Sequence, residues 1–247
     1  MLNQNNIAIL GDGLLGSEIH SQTGWDLISR KKDGLDITDK STFHSTLSEL
    51  IKDKHAGILG AACKYKILIN CIAHTDTYSE NKQDHWDINL QGTKNLIDFC
   101  NEWNIKLVHI STDYIYSNST PHATEDTPPV HCATWYGYTK LVADALVQLE
   151  CPNYLIIRTT HKEKPFPYDI AWNNQIGNFD YVDVISSQII TLINKEATGI
   201  FNIGTELKTM YDLAKQTKPK LKGEKISHPL APYDVSMNTN KFNNFIK

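Results

Sequence analysis

The apolar run Ile7-Ala8-Ile9-Leu10 passes straight into Gly11-Asp12-Gly13-Leu14-Leu15-Gly16, and a helical pattern through Leu14, Leu15 and Ile19 comes next. A strand that breaks on three closely spaced glycines and restarts as a helix leaves few folds open. Gly11, Gly13 and Gly16 permit a tight turn and let backbone N–H groups approach a pyrophosphate at the helix N-terminus. The same string also suits a plain strand-to-helix turn, so its meaning depends on the rest of the chain.

The rest of the chain repeats the alternation. Residues 25–29, 66–73, 107–111 and 154–158 read as short apolar strands, and 43–54, 86–103 and 135–149 carry apolar residues at helical spacing. Strands alternating with amphipathic helices imply β-α-β units and a parallel sheet. Such a sheet is covered on both faces, which accounts for strands that are apolar throughout. Right-handed crossovers then predict an α/β fold with a doubly wound parallel sheet. Residues 1–158 form its core, completed by 181–205. Residues 159–180 and 206–247 lack clear periodicity and are expected to form a small C-terminal lobe over the sheet's carboxyl edge.

Composition narrows function. The net charge of -4, with no basic stripe, argues against a nucleic-acid partner. The longest apolar stretch, Ile67 to Ala73, is broken by Asn70 and is too short to span a bilayer, so no membrane partner is expected. The first six residues show no charged segment leading into an apolar one, and no signal peptide is expected. The cysteines, Cys63, Cys71, Cys100, Cys132 and Cys151, are odd in number and form no C-x-x-C pair. That usage fits a reduced, cytoplasmic setting. The histidines are scattered without metal-ligand spacing, and no metal is expected.

Two further stretches carry chemistry. An acid at the end of the second strand would bind a ribose 2′-hydroxyl and repel a 2′-phosphate. Here the chain offers Ser29-Arg30-Lys31-Lys32, and arginine suits bidentate phosphate recognition, so NADP is expected over NAD. The alternative is a set of solvated loop charges. Asp36 lies further on and is assigned to the adenine edge. The second stretch is Tyr136-Gly137-Tyr138-Thr139-Lys140, with Thr112 one strand earlier. Tyr136 and Lys140 are four apart on a helix and share a face. A neighbouring ammonium would lower the tyrosine's pKa, and Thr112 at a strand's carboxyl end could share the substrate oxygen.

These strings, in this order, resemble the extended short-chain dehydrogenase/reductases, and within them the dTDP-4-dehydrorhamnose reductases. The matching stretches are GDGLLGSEI, LDITD, INCIAHT, INLQGTKNLIDFC, VHISTDYIYS, YGYTKLVAD and IIRT, with a weaker NQIGNFDYVDV later. The resemblance implies a Rossmann-type core and a catalytic trio of Thr112, Tyr136 and Lys140. It places Leu14 and Leu15 at the pyrophosphate, and Asp36 and Ile37 around the adenine. Ile72, Ala73, His74 and Thr75 would line the cofactor's ribose side, and Asp113 and Tyr114 would face the sugar. The implied activity is NADP-dependent reduction of a nucleotide-activated 4-keto-6-deoxy sugar. A non-catalytic NADP-binding regulatory protein and a nucleotide-sugar epimerase or dehydratase are the alternatives. Oligomeric state is left open, a homodimer being one option. The departures all fall on the substrate side. Thr77-Tyr78-Ser79-Glu80 replaces an acidic stretch, and the segment after Arg158 is short. His161 stands where the family has an indole, which predicts a wider, more solvated sugar pocket.

Overall fold

β1 (Ile7–Leu10) is apolar throughout because both of its faces are covered. Ile7 and Ile9 enter one hydrophobic cluster, and Ala8 and Leu10 enter the other. The computed structural model describes residues 6–52, 63–117, 119–129 and 133–247. Cys132, Lys54 and the first five residues, each part of an expectation from the sequence, lie outside that set.

From β1 the chain turns into α1 (Leu14–Thr23) and returns as β2 (Asp26–Ile28). α2 (Lys40–Ile51) starts on Asp39, whose carboxylate accepts from the N–H groups of Ser41 and Thr42. β3 (Ile67–Asn70) leads to a π-helical stretch, His85–Gln91, that runs into α3 (Gly92–Trp103). β4 (Lys106–Thr112), α4 (Trp135–Glu150), β5 (Tyr154–Thr159), α5 (Val182–Asn194) and β6 (Gly199–Asn202) complete the core.

The six strands pair in the order β6-β5-β4-β3-β1-β2, all parallel. α1 and α5 supply the apolar residues on one face, and α2, α3 and α4 those on the other. This is the expected Rossmann-type doubly wound sheet. Strand order reverses between β1 and β3, and in open sheets of this kind the crevice at that point, beyond the carboxyl ends, takes the ligand.

The glycine turn is shaped by close approach. Gly11 has φ 102°, a left-handed value that favours glycine. A Cβ on Gly16 would stand 2.0 Å from the Gly11 carbonyl oxygen, so any side chain there must push α1 off the turn. Gly16→Ala should cost ~1–3 kcal/mol of stability and weaken cofactor binding as well. A thermal melt with a dinucleotide titration checks this, and an unchanged melt with normal binding would contradict it.

After β5 the chain builds short pairings: His161–Lys162 with Asp180–Tyr181, Ile170–Trp172 with Lys222–Glu224, and Ile176–Gly177 with Lys208–Thr209. They enclose their own cluster of Phe166, Phe179, Tyr181, Met210, Leu213 and Val235. The chain's last element departs from the expected lobe. The helix Asn240–Ile246 returns to the main sheet, where Phe242 is buried with Ile189 and Phe201. Among the described residues no helix is long and apolar enough to cross a membrane.

Candidate active site

A cavity of about 850 Å³ opens where the strand order reverses. α1 points its N-terminus into it, and Gly13, Leu14 and Leu15 line that wall. Gly13 occupies the cap position and has no side chain to satisfy the first N–H groups of the helix. Uncapped N–H groups at the positive end of a helix suit an anion such as a pyrophosphate. Gly11 and Gly16 lie outside the lining and act through the shape of the turn.

The end of β3 supplies the next wall. Asn70 is buried, and its Oδ1 accepts from the N–H of Ile72 at 3.1 Å. Ile72, Ala73 and Thr75 line the cavity, but His74 does not. The side chain of Asn89 accepts from the His74 N–H at 2.8 Å and donates to its carbonyl at 3.2 Å. The His74 ring meets that of His85 edge-on, 4.5 Å between centroids. The π-helical stretch that carries Asn89 therefore holds the loop from behind, a use typical of π-bulges beside functional sites.

At the end of β2 the structure separates the expected residues. Ser29 is buried, and its hydroxyl accepts from the Lys32 N–H as the cap of a short helical turn, Arg30–Asp33. That bond uses the hydroxyl only as an acceptor and leaves its proton free, and Ser29 is not among the residues lining the cavity. Arg30 is exposed and pairs with Asp36 at 2.9 Å. Hydrogen bonds from Thr38 and the Arg30 charge hold the Asp36 carboxyl below its usual range. Ile37 is core: it is buried, close to Gly92, and its carbonyl accepts from Asn95.

Thr112, at the end of β4, and Tyr136 and Lys140, in the first turns of α4, line the cavity together. α4 begins where the Thr134 hydroxyl accepts from the Gly137 N–H, and that start fixes which residues face inward. The Thr112 hydroxyl is near enough to Tyr136 to favour the ionised phenol slightly against burial. The expected electrostatics are corrected, however. Burial pushes the Tyr136 phenol up to about 12 rather than down. Lys140 donates to the Ile110 carbonyl at 2.6 Å and lies 3.4 Å from His109 Nε2, so its charge is spent on the sheet end. Burial brings Lys140 down to about 8, and burial, then the Lys140 charge, holds His109 well below its usual value. A tyrosine at about 12 is fully protonated at neutral pH, which suits a proton donor.

Tyr114 and His161 line the cavity, whereas Asp113 is buried behind Thr112. The 3₁₀ turn Asp113–Tyr116 directs these neighbours to opposite sides, and this corrects the placement of Asp113 at the sugar. Burial, then the Lys162 charge, lowers His161 to about 4, so its ring is neutral. Phe166 and Trp172 also line the cavity and give it aromatic surface. Several lining residues carried no local signal in the sequence, among them Tyr78, Lys162 and Gln175. Tyr78 is held by long-range contacts: its hydroxyl meets that of Tyr114 at 2.7 Å, and its ring stacks on His228 at 4.0 Å.

Comparison with known proteins agrees with this architecture. A dTDP-4-dehydrorhamnose reductase of Mycolicibacterium smegmatis is 33% identical over 99 residues, which are 38% of this chain and 29% of that protein. A dTDP-4-keto-6-deoxy-D-glucose reductase of Streptomyces niveus is 26% identical over 211 residues, 74% of this chain and 66% of that protein. The chain thus spans less than two thirds of the length of these curated relatives. Among solved structures, a dTDP-4-dehydrorhamnose reductase of Bacillus anthracis in complex with NADP matches with a TM-score of 0.78 at 21% identity, over 96% of this chain and 92% of that one. A dTDP-4-dehydrorhamnose reductase from Clostridium acetobutylicum matches with a TM-score of 0.77 at 23% identity, over 95% and 90%. The RmlD substrate binding domain family matches residues 5–162, a stretch that runs from before the glycine turn through the Thr112, Tyr136 and Lys140 cluster. The chain belongs to that family.

Proposed function

We propose that this chain is an NADP-dependent reductase of a nucleotide-activated 4-keto-6-deoxy sugar, working in deoxysugar biosynthesis. The observation that carries the reading is the convergence of Thr112, Tyr136, Lys140 and the uncapped N-terminus of α1 on one cavity. The dTDP-sugar reductases among its relatives support the substrate class, and the NADP-bound structural neighbour supports the cofactor.

The residues divide the work. The N–H groups of Leu14 and Leu15 receive the pyrophosphate, with Ile72, Ala73 and Thr75 along the dinucleotide. When bound, the nicotinamide supplies the hydride. Tyr136 donates its phenolic proton to the carbonyl oxygen, and Thr112 hydrogen-bonds that oxygen as charge develops. Lys140 leaves its backbone carbonyl partner for the hydroxyls of the nicotinamide ribose. Tyr114 and His161 face the sugar. The unpaired thiols of Cys63, Cys71, Cys100 and Cys151 support a reducing, cytoplasmic setting.

Arg30 reads the 2′-phosphate. Its surface pair with Asp36 contributes ~0–1 kcal/mol and gives way easily to a phosphate. Losing a charge-assisted phosphate contact costs ~1.5–3 kcal/mol. Arg30→Ala should therefore weaken NADPH by that amount and leave NADH nearly unchanged, as read by fluorescence titration of each cofactor. Equal losses for both cofactors would remove the assignment.

The test of the function is a panel of nucleotide 4-keto-6-deoxy sugars with NADPH, following loss of NADPH absorbance. Turnover of one member supports the reading. Tight NADPH binding with no turnover across the panel favours the non-catalytic regulatory protein instead.

A further inference from the structure

Thr112 has one hydroxyl proton, and two sides compete for it. Behind the cavity, Asp113 Oδ1 accepts from Thr112 at 3.2 Å and also accepts from the Thr160 hydroxyl. In front lies the place for the substrate's carbonyl oxygen. The Thr112 oxygen already accepts from the Tyr114 N–H at 3.2 Å. As a carboxylate, Asp113 can only accept, so it draws the Thr112 proton backwards. Thr112 then has a free lone pair for the Tyr136 hydroxyl and no donor for the substrate. With a proton on Asp113 the chain reverses: Asp113 donates to Thr112, and Thr112 donates into the cavity. The Tyr136 proton is then free for the substrate as well. No proton is gained or lost by Thr112 in either arrangement.

We propose that Asp113 is a positioning residue whose protonation decides whether Thr112 donates into the active site, and that it thereby sets the upper pH limit of reduction. This rests on the reductase reading of the site. Its geometric basis is a carboxyl group with no exposure, whose Oδ2 has no hydrogen-bond partner among the described residues. Ionising such a group is costly, and burial raises it to about 6 against the opposing bonds of Thr160 and Thr112 and the charge of Lys162. The other titratable groups around it are Tyr136 on α4, Tyr114 on the turn after β4 and Tyr78 on the segment after β3. All three are pushed upward by burial and stay neutral through this range. Lys162, on the short strand after β5, is the charge that most favours the Asp113 carboxylate.

The experiment is kcat for sugar reduction at saturating substrate between pH 5 and pH 9, for the wild type, Asp113→Asn and Lys162→Met. The wild type should lose about tenfold per pH unit above the Asp113 transition. Asparagine is nearly isosteric, cannot ionise and offers an NH₂ to Thr112, so Asp113→Asn should flatten that limb and retain activity at pH 8. Lys162→Met removes the charge that favours the carboxylate, so it should move the limb to higher pH. A merely structural role would lower kcat equally at every pH and move neither limb. A second readout needs no substrate. The infrared band of a protonated carboxyl group should titrate in the wild type near pH 6 and be missing in Asp113→Asn. A limb unchanged in Asp113→Asn, or an Asp113 that stays ionised down to pH 5, overturns the proposal. Normal carboxyl titration with no sugar reduced at any pH overturns the reductase reading, and the switch with it.

Discussion

Tyr136→Phe should bind NADPH within about twofold of wild type and lose ~10²–10⁴ of its turnover, the usual contribution of a positioned acid. The substitution removes one oxygen and keeps the ring, which is packed among Tyr114 and His85 at centroid distances of 6.2 and 6.3 Å. The wall therefore keeps its shape, and the nicotinamide site is intact. What disappears is the hydroxyl proposed as proton donor. Because burial holds this phenol at about 12, activity should show no tyrosine limb below pH 9. Stopped-flow single turnovers separate binding from chemistry. Full reductase activity in Tyr136→Phe would mean that another group supplies the proton.

Asp144→Ala should destabilise the fold by ~3–5 kcal/mol, because it strands a buried cation. Asp144 lies one turn beyond Lys140 on α4 and accepts from Arg158 on β5 at 3.0 Å. Both side chains are almost wholly buried. Without the carboxylate, Arg158 keeps, among the described residues, the Tyr116 hydroxyl at 2.6 Å and the Glu125 carbonyl at 3.1 Å as acceptors. Neither carries a full charge. Urea unfolding measures the loss, and Asp144→Asn, which keeps an acceptor, should recover part of it. A loss below ~1 kcal/mol, the range of an exposed pair, would show that the bond does not tie α4 to the sheet. The same bond ties to β5 the helix that carries Tyr136 and Lys140, so cofactor affinity should fall with stability.

Much of this architecture could be read from local pattern. Strands covered on both faces need apolar side chains on both, and β1, apolar at every position, shows it, as do the first three residues of β3. The glycine turn reads directly, since Gly11 and Gly16 answer to a backbone angle and a close approach. Tyr136 and Lys140 line the same cavity because four residues make one helical turn.

The features that escaped the sequence depend on distance or on burial. Tyr78 takes its place from Tyr114 and His228, residues far away along the chain. Asp113 and Tyr114 are neighbours that part only because a 3₁₀ turn begins there. Lys140 was expected to act on Tyr136, yet the Ile110 carbonyl and His109 claim its ammonium, and desolvation then dominates the phenol. The helix Asn240–Ile246 sits in an Asn- and Lys-rich tail whose pattern is weak, and Phe242 alone anchors it deeply. The π-helical stretch was legible as helix but not as the clamp on His74, which needs Asn89 to reach across.

The most direct test of the central claim is the transfer of label. NADPH carrying deuterium at the transferable position of the nicotinamide would be incubated with the protein and a nucleotide 4-keto-6-deoxy sugar. The product would then be weighed by mass spectrometry. The account predicts one deuterium on the former carbonyl carbon of the sugar, with no label transferred by Tyr136→Phe in the same time. NADPH bound at the cavity but no deuterium in any sugar product, at any pH from 5 to 9, would contradict it.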